Sequence, residues 1–126
     1  MDSRFRKYEK LKSQKIIDRI FDSGKSITAY PLKLFFIEET LNAATRFQAG
    51  FSVPKRYFKK AVHRNYIKRL MRENYRLNKQ LLNANSDKNY ALFFVFIGRE
   101  MVDFDTVEKG VKKLMERFLA EENFLK

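Results

Sequence analysis

The segment KRYFKKAVHRNYIKRLMRENYRLNK, residues 55–79, organises this 126-residue chain. It carries ten Lys and Arg side chains and a single acid, Glu73, which gives it a formal charge of +9. The residues before it carry ten basic and six acidic side chains, and those after it carry seven and eight. The formal charge of +12 is therefore concentrated in one segment, and such a segment predicts a surface that binds a polyanion.

The same segment has the periodicity of an amphipathic helix. At about 100° per residue, its cations gather on one side and its aliphatic residues on the other. A helix of about 22 residues would be roughly 33 Å long and could follow several phosphates of a folded nucleic acid. The predicted basic line is Arg64, Lys68, Arg72 and Arg76, flanked by Asn65, Arg69 and Lys79, and the predicted apolar stripe is Ile67, Leu70, Met71, Leu77 and Leu81.

Composition limits the class of protein. The length suits one domain, residues 1–126, in which residues 1–10 form a basic arm and residues 121–126 a frayed tail. Hydrophobic residues make up 44% of the chain, enough for a core, and the absence of Cys excludes disulfides and Cys-based zinc sites. The N-terminus lacks a signal-peptide pattern, and the longest apolar run, residues 90–97, is too short for a bilayer. We therefore expect a soluble, cytoplasmic protein with no membrane partner.

The first half of the chain predicts a helix followed by two strands. Ser13 is the expected N-cap of the helix, and Gly24 stands where a glycine would end it. Strands are expected at residues 27–39 and 46–53, paired antiparallel because only six residues connect them. Gly50 suggests a bulge or the close approach of another backbone.

The second half predicts one buried strand and one helix. After a polar loop at residues 83–89, residues 90–97 are apolar at nearly every position, as in an inner strand covered on both faces. The last helix is expected to be capped by Asp103 or Asp105, the latter with capping-box spacing to Glu108. The order helix, strand, strand, basic helix, strand, helix predicts an α+β fold, a small α/β sandwich with helices on one side of a short mixed sheet.

Catalytic groups are not evident in the sequence. His63 is the only histidine, it has basic neighbours, and no pair of carboxylates stands near it. A solvated helix position therefore explains His63 better than a catalytic or metal-binding role. Phosphate-cradling glycine loops, nucleophile elbows and paired metal-ligand histidines are also absent from the sequence. We therefore predict no catalytic and no metal-binding residue.

Aromatic residues offer a second kind of nucleic-acid contact, because unpaired bases stack on exposed rings. Phe35 shares a strand face with Lys33, and Phe21 ends the first helix, so both rings are candidates for lining a single-strand groove. An ordinary place in the core fits each of them equally well.

Residue patterns alone leave several functions open. A structural RNA-binding protein, such as a ribosomal protein, would carry the same basic helix and bind with the same salt dependence. An enzyme using His63 is a second possibility, which activity of a His63→Ala variant would exclude. A DNA-reading helix is a third and weaker one, because no helix-turn-helix or dimer frame is visible.

A longer pattern narrows the choice. Residues 59–73 run KKAVHRNYIKRLMRE: a lysine-rich turn, Ala-Val, and then Arg-Asn-x-x-Lys-Arg-x-x-Arg-Glu. Together with GFSVPKR at residues 50–56 and the opening at residues 11–24, this pattern resembles the protein component of bacterial ribonuclease P. The resemblance covers roughly residues 9–119. Two positions depart from the family: Tyr66 replaces a third basic residue, and Ile17 stands where similar proteins often have an aromatic.

The resemblance implies a fold and an activity. The strand–basic helix–strand crossover would be left-handed, an exception to the usual rule. The chain would be a subunit of an endoribonuclease that removes the 5′ leader of precursor tRNA. The RNA subunit would perform the chemistry with Mg²⁺, and this chain would require no cofactor of its own. Its partners would be the catalytic RNA and precursor tRNA, and not DNA.

The resemblance also assigns two sets of residues. One set would bind the catalytic RNA: Lys55, Arg56, Lys59, Lys60, Arg64, Asn65, Lys68, Arg69, Arg72 and Arg76. The other would line a cleft for the single-stranded leader, between the first helix and the sheet: Ile17, Phe21, Lys33 and Phe35.

Overall fold

A four-stranded mixed sheet organises the structure, a computed structural model that describes residues 5–39, 46–85 and 88–122. The predicted loop at residues 40–45 and the ends of the chain, residues 1–4 and 123–126, lie outside these ranges, as do residues 86 and 87 of the predicted loop at 83–89. The elements are a 3-10 turn (Lys7–Glu9), α1 (Gln14–Ser23), β1 (Lys25–Ala29), β2 (Leu32–Glu38), β3 (Phe47–Ser52), α2 (Ala61–Asn85), β4 (Tyr90–Phe96) and α3 (Phe104–Glu121).

The strand order is β1-β2-β4-β3, with β4 antiparallel to β2 and parallel to β3. The predicted antiparallel pairing of the strands on either side of residues 40–45 is therefore wrong, because β4 lies between them. The inner position predicted for β4 is confirmed. An apolar strand loses most water contact between two neighbours, and this outweighs the short connection from β2 to β3. The parallel β3-α2-β4 unit forms the expected crossover, and its hand stays a prediction.

The strand predicted at residues 27–39 is two strands. β1 and β2 form an antiparallel hairpin in which Ala29 pairs with Leu32, and the turn between them contains the cis peptide bond Tyr30–Pro31. Pro31 has no N–H group to donate to a ladder, so the sheet breaks at this residue.

Helices cover both faces of the sheet, so the prediction of helices on one side is wrong. The main core lies between one face and the helices α2 and α3, and α3 buries one side in it: Val107, Val111, Leu114, Met115, Phe118 and Leu119. On the other face, Ile20 of α1 and Leu11 pack near Ala91 and the partly buried Phe35 and Phe93. Phe35 and Ile37 of β2 and Ala91 and Phe93 of β4 give this face an apolar surface too, and α1 removes part of it from water.

The basic helix is confirmed, but its buried stripe differs from the predicted one. Ile67, Met71 and Tyr75 are buried, whereas the predicted Leu77 is 49% exposed. Leu77 lies about 120° around the helix axis from Met71, which places it away from the sheet. Lys79, predicted beside the basic line, is buried, because it lies only about 40° from Tyr75.

An ion pair explains the burial of Lys79. Its Nζ lies 2.7 Å from Oε1 of Glu9, and both side chains are buried. Residues 5–12, hereafter the N-terminal segment, also donate a hydrogen bond from Leu11 N to Ala49 O at 3.0 Å. The basic arm predicted at residues 1–10 is thus packed against β3 and α2 from residue 5 onward.

Gly24 and Gly50 both occupy crowded positions. Ser13 caps α1 as predicted and accepts a hydrogen bond from Ile16 N. The helix ends at Gly24, whose backbone is extended and not left-handed. A Cβ on Gly24 would lie 2.5 Å from Ile20 O, so a side chain does not fit. At Gly50 a Cβ would lie 2.8 Å from the Phe93 ring, so the close neighbour is a side chain and not the predicted backbone.

The N-cap of α3 is Asp103, whose carboxylate accepts a hydrogen bond from Thr106 N at 2.9 Å. The capping box predicted for Asp105 is not observed, since Asp105 lies in the first turn.

We expect Asp103→Ala to lower the melting temperature by several degrees and Asp105→Ala to change it little. The hydrogen bond from Thr106 lowers the pKa of Asp103, so the cap acts at neutral pH and is lost as the pH falls through that lowered value. Thermal unfolding at neutral and acidic pH tests this, and equal effects of the two variants at neutral pH would contradict it.

At its C-terminal end the structure is ordered further than predicted. Glu121 is the last residue of α3, and Glu122 accepts hydrogen bonds from Lys25 Nζ at 3.0 Å and from the Tyr90 hydroxyl at 2.7 Å. Residues 121 and 122 of the predicted frayed tail therefore belong to the packed fold, and the rest of that tail lies outside the described residues. None of the helices in the described ranges has the length and hydrophobicity of a membrane span.

Candidate nucleic-acid interface

The outward side of α2 presents a row of cations and one amide. We call Asn65, Lys68, Arg69, Arg72 and Arg76 the basic face. Asn65, Arg69 and Arg72 are exposed, while Lys68 and Arg76 are half-buried. The opposite side of α2 is fixed in the core by Ile67 and Met71, so the helix cannot rotate these groups away from solvent.

Acids neutralise little of this face. Glu73 forms an ion pair with Arg76, whose Nε donates to Glu73 Oε2 at 3.2 Å, and this hydrogen bonding lowers the pKa of Glu73. Lys68, Arg69 and Arg72 form no ion pair with any residue in the described part of the chain. Their mutual repulsion favours an anion as partner.

Arg64 has a structural task that the sequence did not reveal. Its guanidinium donates to Phe58 O at 2.7 Å and to Lys59 O at 2.8 Å, and so it closes the turn before α2. That turn carries the four other predicted cations, all exposed: Lys55, Arg56, Lys59 and Lys60. Arg64 thus fixes the place of these cations at the N-terminal end of the basic face.

A contact between Arg99 and Tyr57 at this turn was not predicted from the sequence. The Arg99 guanidinium lies 4.8 Å from the centre of the Tyr57 ring, and that of Arg56 lies 5.8 Å from it. Hydrogen bonding to Arg56 lowers the pKa of the Tyr57 hydroxyl, and Arg99 acts in the same direction. Arg99 comes from the loop after β4, far along the chain, so no local pattern could associate it with the turn.

The four predicted cleft residues lie together on the α1 side of the sheet. Phe21 is 51% exposed, and its ring centre lies 4.7 Å from that of Phe35. Lys33 Nζ lies 5.0 Å from the centre of the Phe35 ring. Ile17 is half-buried in the same cluster. The cleft therefore combines an exposed ring, a second ring behind it and a cation.

Phe93 belongs to the same surface but was not predicted. Its ring centre lies 5.4 Å from that of Phe21, and it packs over the Cα of Gly50. Because β4 is apolar at every position, the sequence did not indicate which residues face α1. We call these three rings, together with Lys33 and Ile17 beside them, the aromatic cleft: Phe21, Phe35 and Phe93.

His63 is exposed on the first turn of α2. In the described ranges no three His, Asp or Glu side chains converge in a way that could hold a metal ion. The groups that do converge are cations and aromatic rings, whose chemistry is the recognition of phosphates and bases.

Comparisons with known proteins identify the family of this chain. The family model described as Ribonuclease P matches residues 5–119. The Ribonuclease P protein component of Porphyromonas gingivalis strain ATCC 33277 is 38% identical over 114 residues, 88% of this chain and 83% of that protein. The component from Caldanaerobacter subterraneus is 31% identical over 112 residues, 88% of this chain and 90% of that protein.

Solved structures show the same fold. The RNase P protein of Staphylococcus aureus superposes with a TM-score of 0.71 at 19% identity, covering 87% of this chain and 94% of that one. The RNase P protein of Thermotoga maritima gives 0.70 at 26% identity, covering 86% and 96%. The chain therefore belongs to the bacterial ribonuclease P protein family and is a subunit of the endoribonuclease that matures the 5′ ends of tRNA with a catalytic RNA.

Proposed function

We propose that the basic face and the turn before it dock this chain on the catalytic RNA, and that the aromatic cleft receives the single-stranded 5′ leader of precursor tRNA. One observation carries the first part: Lys68, Arg69 and Arg72 lack acidic partners among the described residues and occupy one side of a helix whose other side is buried. Phosphates of a folded RNA supply the missing counter-charge.

The division of labour follows from the side chains present. This chain contributes counter-charge, orientation and a groove, while the RNA subunit cuts the phosphodiester bond with Mg²⁺. As the family resemblance implies, we assign the metal to the RNA and no metal-binding residue to this chain. We place the complex in the cytoplasm, with precursor tRNA as its substrate and neither DNA nor membrane as a partner.

The aromatic cleft suits a single strand. An exposed ring can take a base by stacking, and the Lys33 ammonium beside Phe35 can meet a phosphate of the same strand. Ile17 supplies an aliphatic wall where the family often has an aromatic. We therefore expect the stacking to depend chiefly on Phe21, the most exposed ring of the cleft.

Phe21→Ala should weaken binding of precursor tRNA by the assembled enzyme about tenfold and leave binding of mature tRNA unchanged, because one stacked base contributes about 1–3 kcal/mol. Tyr30→Ala is the matched control, since Tyr30 is a 71% exposed ring in the β1–β2 turn. Affinities measured with leader-bearing and leaderless tRNA check the prediction. An equal loss for both substrates would remove the leader from this cleft.

Reconstitution tests the proposed function as a whole. Added to the RNA subunit of a bacterial ribonuclease P at low Mg²⁺, the chain should stimulate cleavage of precursor tRNA at the 5′ end of the mature sequence. The RNA that co-purifies with the tagged chain from cells separates this proposal from a structural role in the ribosome. Recovery of ribosomal RNA alone, with no stimulation of cleavage, would favour the structural role.

A further inference from the structure

One cavity adjoins the basic face but is not formed by α2 alone. It has a volume of about 250 Å³ and is lined by Phe5, Lys10, Arg69, Arg72, Glu73 and Arg76. Four cations and one carboxylate give its lining a formal charge of +3. Two of its walls, Phe5 and Lys10, come from the N-terminal segment, which neither the sequence pattern nor the family resemblance assigned to any site.

Buried contacts hold the N-terminal segment in place. The Glu9–Lys79 ion pair joins it to α2, and the Phe5 ring packs edge-on against Tyr75 and Phe51, with ring centres 5.7 and 5.9 Å away. The backbone bridge between Lys10 and Ala49 ties it to β3. The cavity wall is therefore anchored to both α2 and β3.

The chemistry of the lining selects an anion with a flat or apolar side. Arg69 and Arg72 have no acidic partner in the described part of the chain, and guanidinium groups match the oxygens of a phosphate. Glu73 does not cancel this preference, because Arg76 already pairs with it. Lys10 Nζ lies 5.9 Å from the centre of the Phe5 ring, so a cation and an aromatic surface meet in one wall.

We propose that this cavity is a phosphate site for one nucleotide of the catalytic RNA, in which Lys10 and Arg72 hold the same phosphate and Phe5 forms the apolar wall. The inference rests on the proposed docking of the basic face and extends it: the N-terminal segment becomes a direct part of the RNA interface. Lys10 is thus a binding residue, and Glu9 and Lys79 position it.

The test compares neighbouring lysines in binding of the RNA subunit by fluorescence anisotropy. Lys10→Gln should weaken the affinity about five- to tenfold and reduce the steepness of its salt dependence by about one phosphate contact. Lys12→Gln removes the same charge from an exposed residue of the same segment that does not line the cavity, and it should weaken binding less than about twofold. Equal losses for the two variants would overturn the site.

A double variant tests whether Lys10 and Arg72 share one phosphate. If they do, Lys10→Gln combined with Arg72→Gln should lose clearly less affinity than the product of the two single losses. A multiplicative loss would overturn the shared phosphate. Neither side chain is buried, so each variant should remain folded. Melting temperatures check this.

Two further measurements distinguish failure of the cavity proposal from failure of the proposed function. If inorganic phosphate raises the melting temperature of the wild type but not of Lys10→Gln, while RNA affinity is equal in both, the cavity holds a free anion and the RNA proposal is overturned. If the wild-type chain itself fails to bind the RNA subunit, the proposed function is overturned before any variant is compared.

Discussion

Replacing Arg69 and Arg72 together by glutamate should weaken binding of the catalytic RNA at least about 100-fold and abolish stimulation of precursor tRNA cleavage at low Mg²⁺. Each lost phosphate contact removes a charge-assisted hydrogen bond, and each new carboxylate repels the backbone that the arginine attracted. Both residues are exposed, so the fold should survive. Electrophoretic mobility shift and cleavage assays at one fixed salt concentration give the result.

The matched control is Lys109→Glu combined with Lys113→Glu on α3. These lysines are exposed and one helical turn apart, and their reversal changes the net charge of the chain by the same amount. If affinity depended only on net charge, the two double variants would be equally weak. A loss of less than about tenfold for the α3 variant, beside the large loss for the α2 variant, shows that position matters.

Lys79→Ala should lower the free energy of unfolding by about 3–5 kcal/mol, because it leaves the buried Glu9 carboxylate without the cation that neutralises it. The same variant should release the N-terminal segment from α2 and expose it to proteolysis. Urea unfolding and limited proteolysis measure the two effects.

Two comparisons make this prediction specific. Lys112→Ala breaks the exposed pair with Glu108, in which the charged atoms lie 3.7 Å apart, and should cost less than about 1 kcal/mol. Replacing Glu9 and Lys79 together by methionine should recover most of the lost stability, because no charge is then left unpaired. Equal effects of Lys79→Ala and Lys112→Ala would show that the buried pair contributes no more than a surface pair.

Local signals in the sequence were enough for most elements. Ser13 was identified as a cap, and Asp103 as one of two candidates beside Asp105, because a short polar side chain precedes a periodic apolar run. The cationic side of α2 followed from spacing alone, and the apolar run at residues 90–97 indicated an inner strand. These features depend on residues near one another in the chain.

Features that depend on distant residues were missed. The insertion of β4 between β2 and β3, the packing of α1 on the second face and the burial of Lys79 all require partners far along the chain. Arg99, which contacts the Tyr57 ring, and Phe93, which contacts the Phe21 ring, were missed for the same reason. Leu77 shows a related limit, because it was predicted to be buried and is exposed. A helical period predicts an apolar stripe but not how the helix is rotated against the sheet.

The site residues illustrate both cases. Phe21, Phe35, Lys33 and Ile17 are brought together by the fold, but their assignment to one cleft came from the family resemblance and not from spacing. Arg64 was assigned to RNA by its charge and by the family resemblance, and the structure shows that it also closes a turn through two backbone carbonyls. Charge alone cannot separate a cation that binds RNA from one that holds the fold.

A tethered cleavage probe tests the docking of the basic face most directly. The chain contains no cysteine, so Tyr66→Cys, exposed on α2, and Lys113→Cys, exposed on α3, can each carry one iron chelate. In the assembled complex, the chelate on α2 should cut the catalytic RNA at a few discrete positions, and the chelate on α3 should not cut there. Cutting from α3 alone, or none from α2 in a complex that has formed, would contradict an RNA-bound basic face.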